Sequence, residues 1–355
     1  MFQLNNQDYN KIMYLVKSEN ELSVLSVING VMPGEIYVNS IDNPTTALIK
    51  TCECNLIAGN SNDVVFNSEV SMELDFWDQL TPDSNEWIDI IPTIHKNSFV
   101  RKYKRRHYTL SIDNFKECNI PLKDGFIIKK VDIELLRQNS YENSENLLEW
   151  IGNWEDDAKF QQYGTGYFIH NGKVIVSWSL SDCSFDKKIA IGIHTDERYR
   201  KNGFGKIVAS VTVKECFFKG YKKIDWLCVD TNKGSAAIAE LLGFKYSNSY
   251  YSFTTYPPIE NIKDLSESEW FEWGEYLENA SQTERCLIWE SLYSYIKANN
   301  VKKTISIMTS MENSKIDLDY SRFIDFITYL QDCGLCSNFK NNVWLVFINE
   351  RKETR

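Results

Sequence analysis

The chain has 355 residues, of which 43% are hydrophobic and 25% are charged, and its net charge is −10. This length predicts two or three domains, and the composition is typical of a soluble globular protein. The acidic balance argues against a dedicated nucleic-acid-binding protein, because affinity for a phosphate backbone requires a basic surface. We therefore expect no nucleic-acid partner.

Export and membrane signals are not evident in the sequence. No apolar run approaches the roughly 18 residues of a membrane span, and residues 1–16 lack the basic and apolar regions of a signal peptide. The nine cysteines are an odd number scattered along a long chain, a pattern typical of reduced thiols. We expect a cytoplasmic protein with no membrane partner, and its oligomeric state stays open.

Prolines divide the chain into three predicted segments, 1–120, 121–256 and 259–355. Adjacent prolines continue neither a helix nor a central strand, so Pro257 and Pro258 indicate a linker. The first segment is predicted to mix strands and helices. Its predicted strands are 35–39, 46–51 and 55–58, and its predicted helical stretches are Val70 to Trp77 and 86–94.

A dense basic run closes the first segment. It consists of Arg101, Lys102, Lys104, Arg105 and Arg106. We interpret the run as a solvated edge strand, where charges prevent pairing with another chain. The alternative is contact with a polyanion.

The middle segment, 121–256, alternates between predicted strands and helices. Asn171-Gly172 between two short apolar runs is a strong hairpin signal. Gly243 ends the last helix, where a glycine suits the left-handed conformation. The predicted strands are 126–131, 167–170, 174–178, 189–195 and 223–229, and the predicted helices are 146–150, 204–219 and 235–242.

The last segment, 259–355, is predicted to be a small helical module. Ser266 with Glu269 and Ser281 with Glu284 fit the capping box of a helix N-terminus. An apolar stripe at helical spacing runs from Tyr320 to Leu330, and residues 343–348 are predicted to form a final strand. Cys333-x-x-Cys336 lacks the two further ligands that zinc requires, so we expect no metal site.

The most informative stretch is a strand, a loop and a helix at 191–206. The loop contains the pattern R-x-x-G-x-G, with Arg200, Gly203 and Gly205. Glycines let an anion approach the backbone closely, and a helix beginning near Gly203 presents unpaired N–H groups and the positive end of its dipole. Lys201 and Lys206 add positive charge. The stretch therefore predicts an anion-binding cradle at the helix N-terminus.

This loop resembles the pyrophosphate loop of the GCN5-related N-acetyltransferases. Downstream, Asn232, Ser235 and Leu242-Gly243-Phe244 match the family's N-x-x-A/S … G-F pattern, and the predicted element order of 126–256 is the family's order. Features around Pro33-Gly34 and Asn43-Pro44-Thr45 resemble a subgroup with a long N-terminal extension, some of whose members are associated with antibiotic self-resistance.

The resemblance implies an α/β fold of the α+β kind, with a mixed, mostly antiparallel twisted sheet in the acetyltransferase domain, 121–256. The strand and helix order of 1–120 predicts a degenerate half of the same fold that lacks the glycine loop. We expect the two halves to continue one sheet and only the second to bind the cofactor. The resemblance does not reach the C-terminal module.

The resemblance also implies how acetyl-CoA is held as the cosubstrate. It would lie in a V-shaped gap between the strand that ends at Thr195 and the strand that ends near Val229. The backbone of Ile193 and Thr195 would hold the pantetheine arm and the acetyl carbonyl. Asn232 and Ser235 would lie along the pantetheine, although Asn232 also suits a helix cap. The pyrophosphate would be bound by the amides of Lys201, Asn202, Gly203, Phe204, Gly205 and Lys206.

By the resemblance, the reaction is direct attack of an amine on the thioester. The amine must first lose a proton, and His194 is the predicted proton acceptor because histidine titrates in the useful range. In many family members a tyrosine on the later helix protonates the departing thiolate, but that position is Ala239 here. Cys228, Tyr250 and Tyr251 are the alternatives left open for this role.

The acceptor itself is a prediction from charge. The net charge of −10 favours a small cationic molecule or a cationic peptide carrying the amine, through long-range attraction. The residue at position 239 supports an alternative class, a non-catalytic CoA-binding or regulatory protein of the same fold.

Overall fold

The computed structural model describes residues 1–17, 22–95, 99–138, 141–258 and 263–352. It divides the chain into two compact units, Met1–Thr255 and Tyr256–Arg355. The first unit contains a five-stranded and a seven-stranded sheet. The first residues of the predicted C-terminal segment, 259–262, and its last, 353–355, lie outside the described residues.

The smaller sheet lies in the N-terminal half of the first unit. Its strands are β1 (Phe2–Gln3), β2 (Glu35–Val38), β3 (Thr46–Lys50), β4 (Asn55–Gly59) and β5 (Thr81–Pro82), and the helices of this half are α1 (Leu22–Ile28), α2 (Val64–Glu73) and α3 (Ile91–Ile94), with short 3-10 helices at Asn6–Leu15 and Asn85–Trp87. The strands lie side by side in chain order; β1 to β4 pair antiparallel, and β5 pairs parallel with β4. The three predicted strands are confirmed.

Two helix predictions in this half need correction. The α2 helix ends at Glu73, so Trp77 lies beyond the helix on which its spacing placed it. The helix predicted at 86–94 is instead a 3-10 turn and the four-residue α3, with Pro92 at the start of α3. The break has a physical reason, because proline lacks the N–H that a continuous helix needs.

The larger sheet carries the middle segment. Its strands are β6 (Arg101–Ser111), β7 (Ile127–Lys130), β8 (Gly166–His170), β9 (Ile175–Phe185), β10 (Lys188–Thr195), β11 (Lys223–Val229) and β12 (Lys245–Thr254). The helices are α4 (Ile133–Gln138), α5 (Ser144–Gly152), α6 (Asp157–Tyr163), α7 (Phe204–Phe218) and α8 (Lys233–Leu241). The strands lie in the order β12-β6-β11-β10-β9-β8-β7. The predicted hairpin at Asn171-Gly172 is confirmed as the β8–β9 turn.

The basic run does not form an edge strand. It begins β6, which pairs antiparallel with β11 on one side and with β12 on the other. Two of its charges are compensated by ion pairs, Arg106 with Asp230 and Arg105 with Glu53. A charged strand is therefore tolerated inside this sheet because carboxylates lie beside it. β6 also lies on the N-terminal side of residue 120 and yet belongs to the larger sheet.

The two sheets repeat one topology. In each, helical segments separate the first strand from an antiparallel three-stranded meander, and a helix then leads to a parallel strand; the sets are β1 to β5 with α2, and β7 to β11 with α7. The sheet predicted for the first half is thus confirmed. The expected continuation of one sheet is limited to one contact. In the described residues, an antiparallel bridge between Leu80, just before β5, and Phe253 of β12 joins the edges of two otherwise separate sheets.

The larger sheet is covered on both faces. Ile191 of β10 and Trp226 of β11 pack under α7 and α8, and we name this side the α7 face. Ala190 of β10 and Trp178 of β9 pack with α5 on the opposite side, the α5 face. Successive residues of β10 thus alternate between the two faces, as in any strand.

The second unit is helical in its described residues. Its helices are α9 (Glu267–Ala280), α10 (Leu287–Lys297), α11 (Val301–Asn313), α12 (Tyr320–Asp332) and α13 (Asn342–Lys352). The capping box of Ser266 and Glu269 is confirmed at the start of α9. The one predicted at Ser281 is wrong, because Ser281 ends α9 and Cys286 stands at the N-cap of α10.

The strand predicted at 343–348 is also wrong, since these residues lie in α13. Trp344, Phe347 and Ile348 are buried, whereas Val343 and Val346 are exposed. Burial at positions i, i+3 and i+4 is the helical period, and a short apolar run does not by itself distinguish a helix from a strand.

Candidate active site

Two neighbouring strands of the larger sheet separate towards their carboxyl ends. β10 and β11 pair in parallel only from Lys188–Lys223 to Ala190–Asp225. β10 then continues to Thr195 and β11 to Val229 without pairing each other. The predicted V-shaped gap is therefore present. We call the space between 191–195 and 226–229 the wedge, and the Ala190–Asp225 pair its apex.

The wedge opens beside the N-terminus of α7. Gly203 stands at the N-cap with φ of 81°, and no side chain caps the helix. The first N–H groups of α7 therefore point outward without a side-chain acceptor, at the positive end of the helix dipole. Only a residue without a side chain adopts this φ readily, which explains the glycine. The structure thus has an uncapped helix N-terminus where the loop pattern predicts the cradle, and anion binding there stays a prediction.

The equivalent helix of the first half is closed to an anion. Asp63 is the N-cap of α2, and its carboxylate accepts a hydrogen bond from the Phe66 N–H. A negative charge of the protein already occupies that helix terminus. This is a physical reason to expect cofactor binding in the second half alone.

The side chains of the loop before α7 hold the backbone in place. The Arg200 guanidinium donates from Nε to the Thr195 carbonyl at 3.2 Å, and Asn202 Nδ2 donates to the Tyr199 carbonyl at 2.9 Å. Lys201 adopts a positive φ of 63°. Lys123 donates from Nζ to Asn202 Oδ1 at 2.7 Å, which adds a positive charge that the motif did not predict.

Close packing brings the start of α7 against the end of β10. A Cβ on Gly205 would lie 3.1 Å from Thr195 Oγ1 and 3.2 Å from Ile238 Cδ1. The Phe204 ring is buried, with its centroid 4.6 Å from that of Phe126, so its backbone is what faces the cradle. The structure therefore brings Ile193, Thr195 and the 201–206 loop together on the α7 face.

Asn232 and Ser235 lie at the start of α8 on the far side of the wedge. Asn232 Oδ1 accepts from the Ser235 N–H at 3.0 Å, which confirms the predicted helix cap. The Ser235 hydroxyl accepts from Trp226 Nε1 at 2.9 Å. Both side chains are buried, and both shape the wall formed by β11 and α8.

His194 lies on the opposite face from the cradle. Its ring stacks on Trp178 with centroids 4.4 Å apart, while the side chain stays exposed. Partial desolvation lowers the pKa of His194, and the positive charge of Arg200 lowers it further. His194 borders an open groove of about 370 Å³ on the α5 face. The other residues lining this groove are Asn146, Glu149, Trp150, Asn153 and Trp178.

A group of ionisable residues at the apex was missed by sequence reasoning. Asp182 lies in β9 at a bulge opposite the Ala190–Ile191 step, and Trp150 Nε1 donates to its Oδ1 at 2.6 Å. Glu53, from the β3–β4 turn of the first half, and Asp225 of β11 line the same small cavity. No local motif marks these carboxylates, because three separate segments bring them together.

Burial controls the charge of this group. Desolvation, followed by repulsion from Glu53, raises the pKa of the Asp182 carboxyl to about 8, although the Trp150 N–H and Arg105 act in the opposite direction. Arg105 is ion-paired with Glu53. Asp182 therefore carries its proton near neutral pH, unlike an ordinary aspartic acid.

The positions left open for a proton donor to the thiolate are spread widely. Ala239 is fully buried in the α7-face core. Cys228 is buried on that face in β11, beside the wedge. Tyr250 and Tyr251 lie in β12, with β6 standing between β12 and β11.

The expectations of no metal site and no membrane segment concern the Cys333-x-x-Cys336 pair and the helices of the protein. Cys336 is buried, and its thiol donates to the Ile296 carbonyl at 3.0 Å. In the ranges that the structure describes, no group of three or more His, Cys, Asp or Glu side chains is arranged to hold a metal ion. None of the described helices combines the length and apolarity needed to cross a membrane.

One solved structure with a TM-score above 0.5 supports the fold, and two further matches have lower scores. A GCN5-related N-acetyltransferase-like protein from Streptococcus suis shares 22% identity with a TM-score of 0.57, covering 70% of this chain and 98% of that one. A GCN5-related N-acetyltransferase from Kribbella flavida shares 11% identity, covers 66% and 96%, and has a TM-score of 0.46. A tandem GNAT protein from the clavulanic acid biosynthesis pathway shares 8% identity, covers 71% and 96%, and has a TM-score of 0.48.

Sequence comparison places the chain in a family. No match was found among proteins with curated annotation. The family model described as GNAT acetyltransferase matches residues 13–253, which include both sheets apart from β1 and the last residue of β12. The match covers well over half of the chain, and the wedge and the uncapped α7 lie within it. The chain is a member of the GNAT acetyltransferase family.

Proposed function

We propose that this protein transfers the acetyl group of acetyl-CoA to an amine. The observation that carries the proposal is the wedge between β10 and β11, which opens beside an α7 N-terminus without a side-chain cap. A helix terminus of this kind binds phosphate through its backbone N–H groups. Family membership supports acyl transfer as the reaction.

The proposed cofactor site follows the α7 face. The amides of Lys201 to Lys206 bind the pyrophosphate, with Arg200 and Lys123 adding positive charge. The backbone of Ile193 and Thr195 borders the wedge, where polar groups not used for strand pairing are available to pantetheine amides. On the other wall, Asn232 and Ser235 lie along the same path.

The proposed acceptor site lies on the α5 face. Attack on the thioester requires a neutral amine, and His194 is the proposed acceptor of the ammonium proton. A backbone N–H of β10 directed at the thioester oxygen stabilises the developing negative charge. The groove beside His194 has two tryptophan walls and the Glu149 carboxylate, which suit a cationic amine. The proposed acceptor is a small cationic molecule or a peptide.

Calorimetric titration tests this function. We expect acetyl-CoA to bind with micromolar affinity and free CoA to bind the same site. A panel of amines incubated with acetyl-CoA then reports turnover through release of the CoA thiol. Lack of binding at millimolar acetyl-CoA contradicts the proposal. Binding without turnover of any amine across pH indicates the non-catalytic alternative, which Ala239 favours.

Replacing His194 by glutamine tests the proton acceptor. We expect kcat/KM to fall by about 100-fold with unchanged acetyl-CoA affinity, because His194 points away from the cradle. Ionisation of the amine substrate affects both enzymes equally, so its pH dependence cancels in the ratio of wild-type to variant kcat/KM. Since the pKa of His194 is lowered, this ratio should stay constant down to pH 6.5 and decrease only below it.

The exposed Lys173, in the β8–β9 turn, provides the control as Lys173→Gln. It should match the wild type at every pH. A His194→Gln variant with wild-type kcat/KM, or a ratio that already falls above pH 6.5, removes His194 from the proposed mechanism.

A further inference from the structure

The apex of the wedge holds a carboxyl group that the proposed mechanism has not used. Asp182 Oδ1 accepts a hydrogen bond from Trp150 Nε1 at 2.6 Å, which fixes the carboxyl plane. The second oxygen faces Gly192: a Cβ on Gly192 would lie 3.3 Å from Asp182 Oδ2 and 2.6 Å from Trp150 Cζ2. The glycine therefore makes room for this side chain directly beside β10, where the wedge begins.

A second observation concerns another carboxyl group at the apex, on Asp225. Only 4% of the surface of Asp225 is exposed to solvent. Its Oδ1 accepts no hydrogen bond from the described part of the chain. His107 Nε2 lies 3.4 Å from this oxygen. Asp225 and Asp182 line one cavity of about 10 Å³. That volume is near the minimum that holds one water molecule.

The titratable and charged groups around Asp182 come from three segments: the first half, β6 and β11. Glu53 of the first half and Arg105 of β6 form an ion pair beside it. Asp225 of β11 and His107 of β6 lie across the cavity. Burial is the main cause that raises the pKa of Asp182, and Glu53 is the next. The carboxyl is therefore protonated near neutral pH and has a proton to give.

We infer that Asp182 is the proton donor to the departing CoA sulfur. This is the role that the family resemblance gives to a tyrosine and that Ala239 leaves unfilled in this chain. The inference rests on the proposed acetyl transfer. It explains why a half-buried carboxyl with a fixed hydrogen-bond partner lies at the apex, and why the first half of the molecule contributes Glu53 there.

The proton balance is complete within the reaction. The neutral amine nitrogen bonds to the thioester carbon, and the C–S bond breaks while the Asp182 carboxyl gives its proton to sulfur. The nitrogen, now carrying one proton in excess, returns a proton to the Asp182 carboxylate, directly or through the single water that the cavity admits. The products are the amide and the CoA thiol, and Asp182 is again protonated.

The test compares Asp182→Asn with Asp186→Asn, a matched substitution at the exposed turn between β9 and β10. Asparagine keeps the acceptor for Trp150 but has no proton to exchange. We expect Asp182→Asn to lower kcat by about 100-fold without changing acetyl-CoA affinity in calorimetry. The wild-type kcat should decrease above pH 8 as Asp182 ionises, and the variant should lack this decrease.

The Glu53→Gln variant tests whether the decrease of kcat at alkaline pH comes from ionisation of Asp182. Removing the Glu53 charge removes a cause that raises the pKa of Asp182, so the decrease should move to lower pH. A second readout uses the protein without cofactor. Between the ordinary aspartate pKa and pH 8, unfolded Asp182 is ionised while folded Asp182 holds its proton, so the wild-type melting temperature should fall with pH relative to Asp182→Asn and level off above pH 8.

The possible results separate the two proposals. A wild-type kcat in Asp182→Asn, or an alkaline decrease that Glu53→Gln does not move, overturns the donor role and leaves the acetyltransferase proposal intact. Lack of acetyl-CoA binding by the wild type overturns both. In that case the melting comparison still shows whether Asp182 holds a proton. Asp186→Asn should match the wild type throughout.

Discussion

Replacing Gly203 by aspartate is expected to abolish acetyl-CoA binding. The residue stands at the uncapped N-cap of α7, with φ of 81°. An aspartate there places a carboxylate where the pyrophosphate would bind and lets it accept the helix N–H groups, as Asp63 does at α2. Competition from an attached anion and charge repulsion act in the same direction. We expect calorimetry to show affinity reduced by at least about 100-fold, equivalent to roughly 2.7 kcal/mol.

Gly220 supplies a matched control at the opposite end of the same helix. It has φ of 93°, and a Cβ there meets no atom within 4 Å, as at Gly203. The 15 residues of α7 separate the two glycines by about 22 Å. Gly220→Asp should introduce similar backbone strain and leave acetyl-CoA affinity unchanged. Unchanged affinity in Gly203→Asp instead would mean that the pyrophosphate does not bind at this helix.

Replacing Gly243 by alanine is expected to destabilise the first unit strongly. Gly243 has φ of 93°, and its Cβ would lie 1.9 Å from the Asn114 carbonyl oxygen. The Asn114 segment is held close because the Lys116 N–H donates to the Leu242 carbonyl at 2.9 Å. Backbone strain and the clash with another backbone segment add together. We therefore expect the free energy of unfolding to decrease by about 3 kcal/mol or more. This loss corresponds to a melting temperature lower by about 6–12 °C.

The control again is at Gly220, as Gly220→Ala. It has the same φ of 93° but open space around the added Cβ. This variant should lose only the strain contribution, about 1 kcal/mol. Thermal melting of both variants therefore isolates the contact with Asn114. Equal losses of stability in the two variants would show that the segment carrying Asn114 moves away from the added Cβ, so that its contact with residue 243 does not contribute.

Local signals explain most of what sequence reasoning predicted correctly. The hairpin at Asn171-Gly172 and the caps at Ser266 and Asn232 depend on residues close together in the chain. The uncapped helix start at Gly203 is of the same kind, because its conformation and the start of α7 are set within a few residues. Such features are predictable since backbone preferences and short-range hydrogen bonds decide them.

The errors arose where distant segments or packing decided the structure. β6 is inserted between β11 and β12, and the ion pairs of its Arg105 and Arg106 are with partners far away in the chain. The helical state of 343–348 depends on which side chains find a core. Neither relation is written in a local pattern, and tertiary contacts override weak local preference.

By itself, the sequence determined the family resemblance, the uncapped helix terminus at Gly203 and the order of strands and helices around it, because these depend on short spacings of glycine, arginine and asparagine. Only the tertiary structure placed His194 on the opposite face from the cradle and brought Asp182, Glu53 and Asp225 to the apex. Strand alternation and sheet register control the first of these arrangements. The meeting of Asp182, Glu53 and Asp225 depends on the packing of three separate segments, and the desolvation that results raises the pKa of Asp182.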